Sequence, residues 1–177
     1  ERRRKRQGIQ PIEIKTMKLT WQRYNLQLKH VFRISRSAGK ITPIVIVILE
    51  HEGILGYGEA SPSARYGETP DTVEKFLQKI KLQQFDSPFL VEDILHYVDL
   101  LAEKNTAAKC AVDIALHDWI GKKLGVPLHT MWGLNPKKTP LCSFTIGIDT
   151  VEVIAQKVRE AEEYPILKVK VGLENDK

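Results

Sequence analysis

Residues 141–171 constrain the fold more than any other part of the chain. Leu141 to Ile148 reads as a strand, and Thr150 can cap a helix whose Ile154, Val158 and Ala161 line one side. Tyr164-Pro165 breaks that helix, and Ile166 to Val171 reads as a second strand. Strand, helix, strand with short connections is a right-handed βαβ unit, so its strands run parallel. A parallel pair is not stable alone, because parallel sheets are covered on both faces and contain several strands. Residues 136–177 therefore predict the start of a larger α/β domain, and the chain is expected to be part of a longer protein.

The second of these strands carries an unusual pair. In Leu167-Lys168-Val169-Lys170-Val171-Gly172 the apolar side chains point to one face and the two lysines to the other. Their backbone positions lie roughly 6.6 to 7 Å apart. Burying two lysines side by side costs desolvation and mutual repulsion, so packing gives a fold little reason to do it. Chemistry gives a better one: both effects disfavour the ammonium and favour the neutral amine that can act as a base. The alternative is a wet edge strand on which two lysines discourage aggregation.

The 177 residues suffice for one ordinary domain, or a small domain plus part of another. No apolar run approaches the ~18 to 20 residues needed to cross a membrane, and the N-terminus does not read as a secretory signal. The net charge of +5 and pI near 9.2 suggest nucleic acid until the charge is located. Residues 1–6 hold five basic groups and one acid, leaving the other 171 residues at +1. The charge is thus a tail, expected to be disordered over residues 1–10, and not a basic face. Cys110 and Cys142 lack C-x-x-C spacing and are expected to be reduced, buried small residues, which fits a cytoplasmic protein.

Ahead of the βαβ unit, the opening third reads as an antiparallel meander. Pro11 to Trp21 forms a first strand, Gln22-Arg23 a tight hairpin, and Tyr24 to Phe32 a second strand. Arg33 to Lys40 is polar and basic, hence a loop, and Pro43 to Glu50 is a β-branched strand covered on both faces. The glycines of Gly53 to Ala60 do not fit a dinucleotide fingerprint; they suit a turn or a close backbone approach. Helices follow, with Asp71 and Glu74 forming a capping arrangement at the first, Val91 to Lys104 the second, and Ala107 to Leu124 the third. The third carries an apolar stripe of Ala108, Ala111, Val112, Ala115, Leu116 and Trp119, and Gly125 ends it. His117 and Asp118 are neighbours on this helix and do not face each other, so they read as surface or buried-polar groups rather than a catalytic pair.

Five segments in this order resemble the enolase superfamily, muconate-lactonizing subgroup, and within it dipeptide epimerases of the L-Ala-D/L-Glu type. They are Gly56-Tyr57-Gly58-Glu59-Ala60, Ala111 to Asp118, Leu128-His129-Thr130-Met131-Trp132-Gly133, Ser143 to Asp149 and Leu167 to Gly172. The resemblance implies an α+β capping domain, antiparallel meander plus helices, over residues 11–135. The start of a modified TIM (β/α) barrel follows at 136–177, with active-site residues at the C-terminal ends of its strands. The chemistry implied is removal of a proton from the carbon next to a carboxylate, with Mg²⁺ stabilising the enediolate. Lys170 is implied as one acid/base and Lys168 as its cationic neighbour at the substrate carboxylate. A second lysine on the opposite barrel wall returns the proton to the other face.

Thr145 matches a strand threonine that contacts the dipeptide, and equally reads as an ordinary strand residue. Arg33 and Arg36 fall in the capping loop that reads the substrate's distal end, where an arginine can hold an acidic side chain bidentately, although surface solvation is the ordinary fate of either. Arg65 and Tyr66 fall in the second capping loop. The family's three acidic Mg²⁺ ligands are expected beyond Lys177, and Glu174 and Asp176 do not match them. Residues 1–177 alone are thus expected to hold no catalytic metal and to turn over no substrate. The partners implied are a dipeptide or acylated amino acid and further copies of the intact chain, with no nucleic acid and no membrane. An o-succinylbenzoate synthase, an N-succinylamino acid racemase or a muconate cycloisomerase fits the same residues. A non-catalytic interaction module would instead bind through residues 1–6 in a salt-dependent way.

Overall fold

A computed structural model describes residues 16–35 and 37–172. The basic stretch 1–10, the start of the first predicted strand, Arg36, Glu174 and Asp176 lie outside them. Three strands, β1 (Lys18–Ile34), β2 (Ser37–His51) and β3 (Ile54–Ala60), form an antiparallel sheet in the order β1-β2-β3. Helices α1 (Pro70–Leu77), α2 (Val91–Leu100) and α3 (Thr106–Leu124) follow, then the short α4 (Leu128–Met131). The chain continues through β4 (Ser143–Ile146), α5 (Val151–Glu160) and β5 (Ile166–Val169), and β4 and β5 pair in parallel. The meander, the helical segment and the parallel βαβ unit thus stand in the order the sequence predicts. Among the described residues, no helix is long and apolar enough to cross a membrane.

Alternation along β2 builds the core. Val45, Val47 and Leu49 point to one face and are fully buried against Val73, Phe76 and Leu77 of α1, Ile94 and Val98 of α2, and the α3 stripe. On the other face Ile44 is buried while Ile46 and Ile48 are half-buried, so the second face of this strand is covered only in part. Two glycines let α3 lie on β3. A Cβ on Gly56 would come 2.1 Å from the Ala115 carbonyl oxygen, and one on Gly58 would come 1.8 Å from that of Ala111. These are the close approaches the sequence suggested, and the small α3 residues are their counterpart. At the far end of α3, Gly125 adopts a left-handed φ of 67° and closes the helix.

Several local expectations change. No hairpin forms at Gln22-Arg23: β1 runs straight through, with Gln22 opposite Ile46 and Arg23 opposite Val45. Arg23 therefore lies on the helix-covered face, at its margin, and its guanidinium reaches α1. It donates to both carboxylate oxygens of Glu74 at 2.6 Å and also pairs with Asp71. These bonds hold the Glu74 carboxyl below the usual carboxylate range. Asp71 and Glu74 are thus ligands of Arg23 rather than the cap of α1, which is a reciprocal box between Thr69 and Thr72. The loop expected over residues 33–40 is mostly strand, because Ile34 already pairs with Ser37, Arg33 with Ala38 and Phe32 with Gly39.

The cysteines are exposed, not buried. Cys110 falls opposite the Ala111, Val112 and Ala115 stripe on α3, and Cys142 precedes β4. The terminal strands are shorter than their hydrophobic runs, since Leu141 is exposed at one end and Val171 at the other. His117 and Asp118 are half-buried and have different partners. Asp118 accepts the Tyr57 amide at 2.8 Å, tying β3 to α3, while the His117 ring meets the Trp132 ring edge-on.

One buried acid organises α3 from outside. Asn105, at its N-cap, makes no side-chain cap bond. Glu68, only 6% exposed, accepts the amides of Thr106 at 2.6 Å and Ala107 at 3.1 Å and the Thr106 hydroxyl at 3.1 Å. It satisfies amides that the helix start leaves open, and its charge complements the helix dipole. Glu68→Ala is expected to cost about 1–3 kcal/mol, the range for leaving buried donors unmet. Denaturant unfolding of the full-length protein checks it, with Glu68→Gln expected to lose less.

Candidate functional site

Thr145, Lys168 and Lys170 lie where β4 and β5 end. Register sets Thr145 opposite Lys168 in the parallel pair, so the two side chains share a face. The Lys170 amide donates to the Ile146 carbonyl at 2.9 Å and carries the ladder one step past β5. Alternation then puts Lys170 on the face of Lys168 and Thr145, with Ile146 fully buried on the opposite one. Lys168 is exposed, whereas Lys170 and Thr145 are half-buried.

The β1–β2 hairpin arrives at the same place. The Ile148 amide donates to the Arg33 carbonyl at 2.9 Å, and a Cβ on Gly147 would lie 3.0 Å from both Arg33 N and Arg33 O. Farther out, a Cβ on Gly172 would lie 3.4 Å from Ser35 Cβ. The hairpin tip is thereby packed over the strand ends, two residues beyond Lys170. Arg33 is exposed there, near Asp149. Arg36, its expected companion, lies outside the described residues. Arg65 and Tyr66 form a separate exposed surface with Lys104 and Thr106.

Two ionic clusters surround this junction, and the sequence reading missed both. Lys157 is 4% exposed and donates to Asp149 at 3.0 Å and to the Val31 carbonyl at 3.4 Å. That bond, together with the Thr150 amide, holds the Asp149 carboxyl below its usual range. Lys157 of α5 and Ala161 at its C-cap are buried, whereas Val158 is 38% exposed, so the expected apolar side of this helix includes a lysine in place of a valine. The signal was legible: Lys157 lies three residues after Ile154 and four before Ala161, on the stripe itself.

One turn on, Glu160 receives Lys29 at 2.8 Å, His30 at 2.6 Å and Gln156 at 2.9 Å. The Lys29 ammonium first, then His30 and Gln156, lower its carboxyl from 4.5 to about 2. A carboxyl depressed in the folded state adds stability that is complete above the unfolded value and is lost as pH falls through the folded one. This contribution should therefore fade between pH about 4.5 and about 2. Acid titration of the full-length protein's stability checks this, with the Glu160→Gln variant expected to show a shallower slope across that window.

Among the described residues, no three His, Cys, Asp or Glu side chains group closely enough to hold a metal ion. Asp149, three residues past the end of β4, is paired with Lys157. The described residues therefore do not make a magnesium site.

This geometry has known relatives. The profile of the mandelate racemase / muconate lactonizing enzyme N-terminal domain matches residues 16–133. The L-Ala-D/L-Glu epimerase of Bacteroides thetaiotaomicron is 54% identical over 162 residues, covering 91% of this chain and 42% of that protein. Among solved structures, a dipeptide epimerase from Cytophaga hutchinsonii, complexed with Mg and D-Ala-L-Val, superposes with a TM-score of 0.78 at 28% identity; the match covers 90% of this chain and 45% of that one. The substrate-liganded L-Ala-D/L-Glu epimerase of Bacillus subtilis superposes with a TM-score of 0.79 at 27% identity, covering 91% and 46%. The chain spans less than half the length of each of these relatives. With its three-stranded antiparallel sheet and covering helices, the chain belongs to the mandelate racemase / muconate lactonizing enzyme family and contains that family's N-terminal capping domain.

Proposed function

We propose that the intact protein is a dipeptide epimerase that inverts the carbon next to the substrate carboxylate. The observation that carries this reading is the convergence of Thr145, Lys168 and Lys170 at the ends of β4 and β5, under the β1–β2 hairpin. The kinship to epimerases of both L-Ala-D/L-Glu and D-Ala-L-Val complexes supports the reaction class. In this proposal the neutral Lys170 amine takes the α-proton and becomes an ammonium, and Lys168 stays charged beside the carboxylate, offsetting the negative charge that develops. Thr145 contacts the dipeptide backbone. Arg33 and Arg36 bring cationic groups to the hairpin that faces the distal side chain, which favours an acidic second residue.

Magnesium belongs to the intact protein in this proposal, as in the Cytophaga relative, and it would stabilise the enediolate; its ligands are not among the described residues. The division into a capping domain over 11–135 and a barrel from 136, a cytoplasmic location and a homo-oligomeric state belong to the same proposal. Chiral chromatography of products from a dipeptide panel, with full-length protein and Mg²⁺, tests it. L-Ala-L-Glu is expected to give L-Ala-D-Glu faster than dipeptides ending in a neutral or basic residue. Faster turnover of the basic ones would remove the role given to the hairpin arginines.

A further inference from the structure

We propose that Lys157 is a positioning residue that sets where the β1–β2 hairpin tip sits over the ends of β4 and β5. Gln27 pairs with Ile41 and Phe32 with Gly39, so the four residues 28–31 of β1 face the single residue Lys40 of β2. Such an excess must leave the ladder, and it bends the strand. Here it turns toward α5, where Val31 meets Lys157 while Lys29 and His30 meet Glu160.

Lys157 links α5, the segment after β4 and the bulge of β1. Its ammonium joins Asp149, just past the end of β4, to the backbone of the bulge, and it does so from α5. A buried lysine is an expensive way to fill a helix stripe, and an apolar residue of similar volume would serve packing as well or better. An open cavity of about 460 Å³ lies beside these contacts, bordered by Leu28, Phe32, Phe144, Thr145 and Tyr164. The bonds that join the bulge to α5 are polar: Val31 to Lys157, and Lys29 and His30 to Glu160. Because the same hairpin continues from Val31 through Arg33 to Ser35 beside Gly172, the bulge's placement fixes the tip's placement.

The consequence for substrate rests on the proposed epimerase function; the positioning itself does not. If the tip reads the distal part of the dipeptide, loosening the clasp weakens binding of that part and leaves proton transfer at Lys170 intact. Such a loss appears in KM more than in kcat.

The test uses full-length protein carrying Lys157→Met, Lys157→Arg and the double change Asp149→Asn/Lys157→Met, which leaves no unpaired charge should the single variant fold poorly. Hydrogen exchange is followed by mass spectrometry in segments 28–39 and 45–60. Lys157→Met and the double variant are expected to speed exchange in 28–39 by about tenfold or more while 45–60 stays at the wild-type rate, because the opening is local. Lys157→Arg, which keeps the charge and donors, should restore most of the protection. For an epimerised dipeptide, KM should rise about tenfold with kcat within about twofold. Unchanged exchange in 28–39, or an equal rise in both segments, overturns the proposal. Should the wild type epimerise no dipeptide while the exchange pattern appears as expected, the positioning role stands and only the epimerase reading falls.

Discussion

Lys170→Ala in the full-length protein is expected to lower α-proton exchange of its dipeptide substrate by about 10² to 10⁴-fold, the usual contribution of a positioned acid or base. The backbone of Lys170 is held by the Ile146 carbonyl, so truncation removes the amine without releasing the strand. The side chain is only half-buried and lies outside the core, and the melting temperature should stay close to wild type. Lys168→Ala is expected to behave differently. Its exposed ammonium is assigned to the carboxylate, so its loss raises KM along with lowering kcat. Single-turnover and steady-state kinetics on the two variants separate the roles. Equal, purely KM effects for both would mean that Lys170 binds substrate and does not move its proton.

The largest expected effect on folding comes from a single methyl group. In Gly58→Ala the new Cβ would sit 1.8 Å from the Ala111 carbonyl oxygen, and the nearby Ala111 carbon and Ala115 nitrogen stand at 2.8 and 2.9 Å. All three are helix backbone, which cannot rotate away as a side chain would. The only relief is for α3 to lift off β3, and α3 carries Ala108, Ala111, Val112, Ala115, Leu116 and Trp119 into the core. Overpacking usually costs about 1–3 kcal/mol and here should reach the upper end or beyond, enough to abolish stable folding of a marginal domain. Soluble yield and the denaturation midpoint of the variant measure it. A near-wild-type midpoint would mean that the helix and sheet are not in the contact described.

Much of this was legible in the residues. The α3 stripe, its glycine stop, the glycine approaches on β3 and the Thr150 cap follow from short-range rules, and each appears where the spacing puts it. What the sequence hid depends on distant partners. Nothing local to Arg23 shows that Asp71 and Glu74 wait 48 and 51 residues away, so a polar pair inside a strand read as a turn. Glu68 likewise lies 38 residues before the helix start it serves. The bulge at residues 28–31 is invisible to alternation, because it breaks the period that alternation relies on. Cys110 misled for a related reason: apolar neighbours on a helix do not share a face unless they are three or four apart.

At the site, the sequence singles out the side chains to which the proposed function gives chemical roles, but not what holds them together. Lys168 and Lys170 stand out by residue type and spacing, whereas Thr145 stands out only through the family resemblance. Asp149 and Glu160 do not stand out, because their partners depend on the fold, and Lys157, although it lies on the apolar stripe of α5, is buried only once the bulge of β1 covers it.

The central claim is tested most directly by incubating full-length protein with L-Ala-L-Glu and Mg²⁺ in D₂O and following the glutamyl α-proton by ¹H NMR. The account predicts loss of that resonance, deuterium at that carbon alone, the appearance of L-Ala-D-Glu, and no such change with Lys170→Ala. Retention of the α-proton by the wild type across a panel of dipeptides would contradict it.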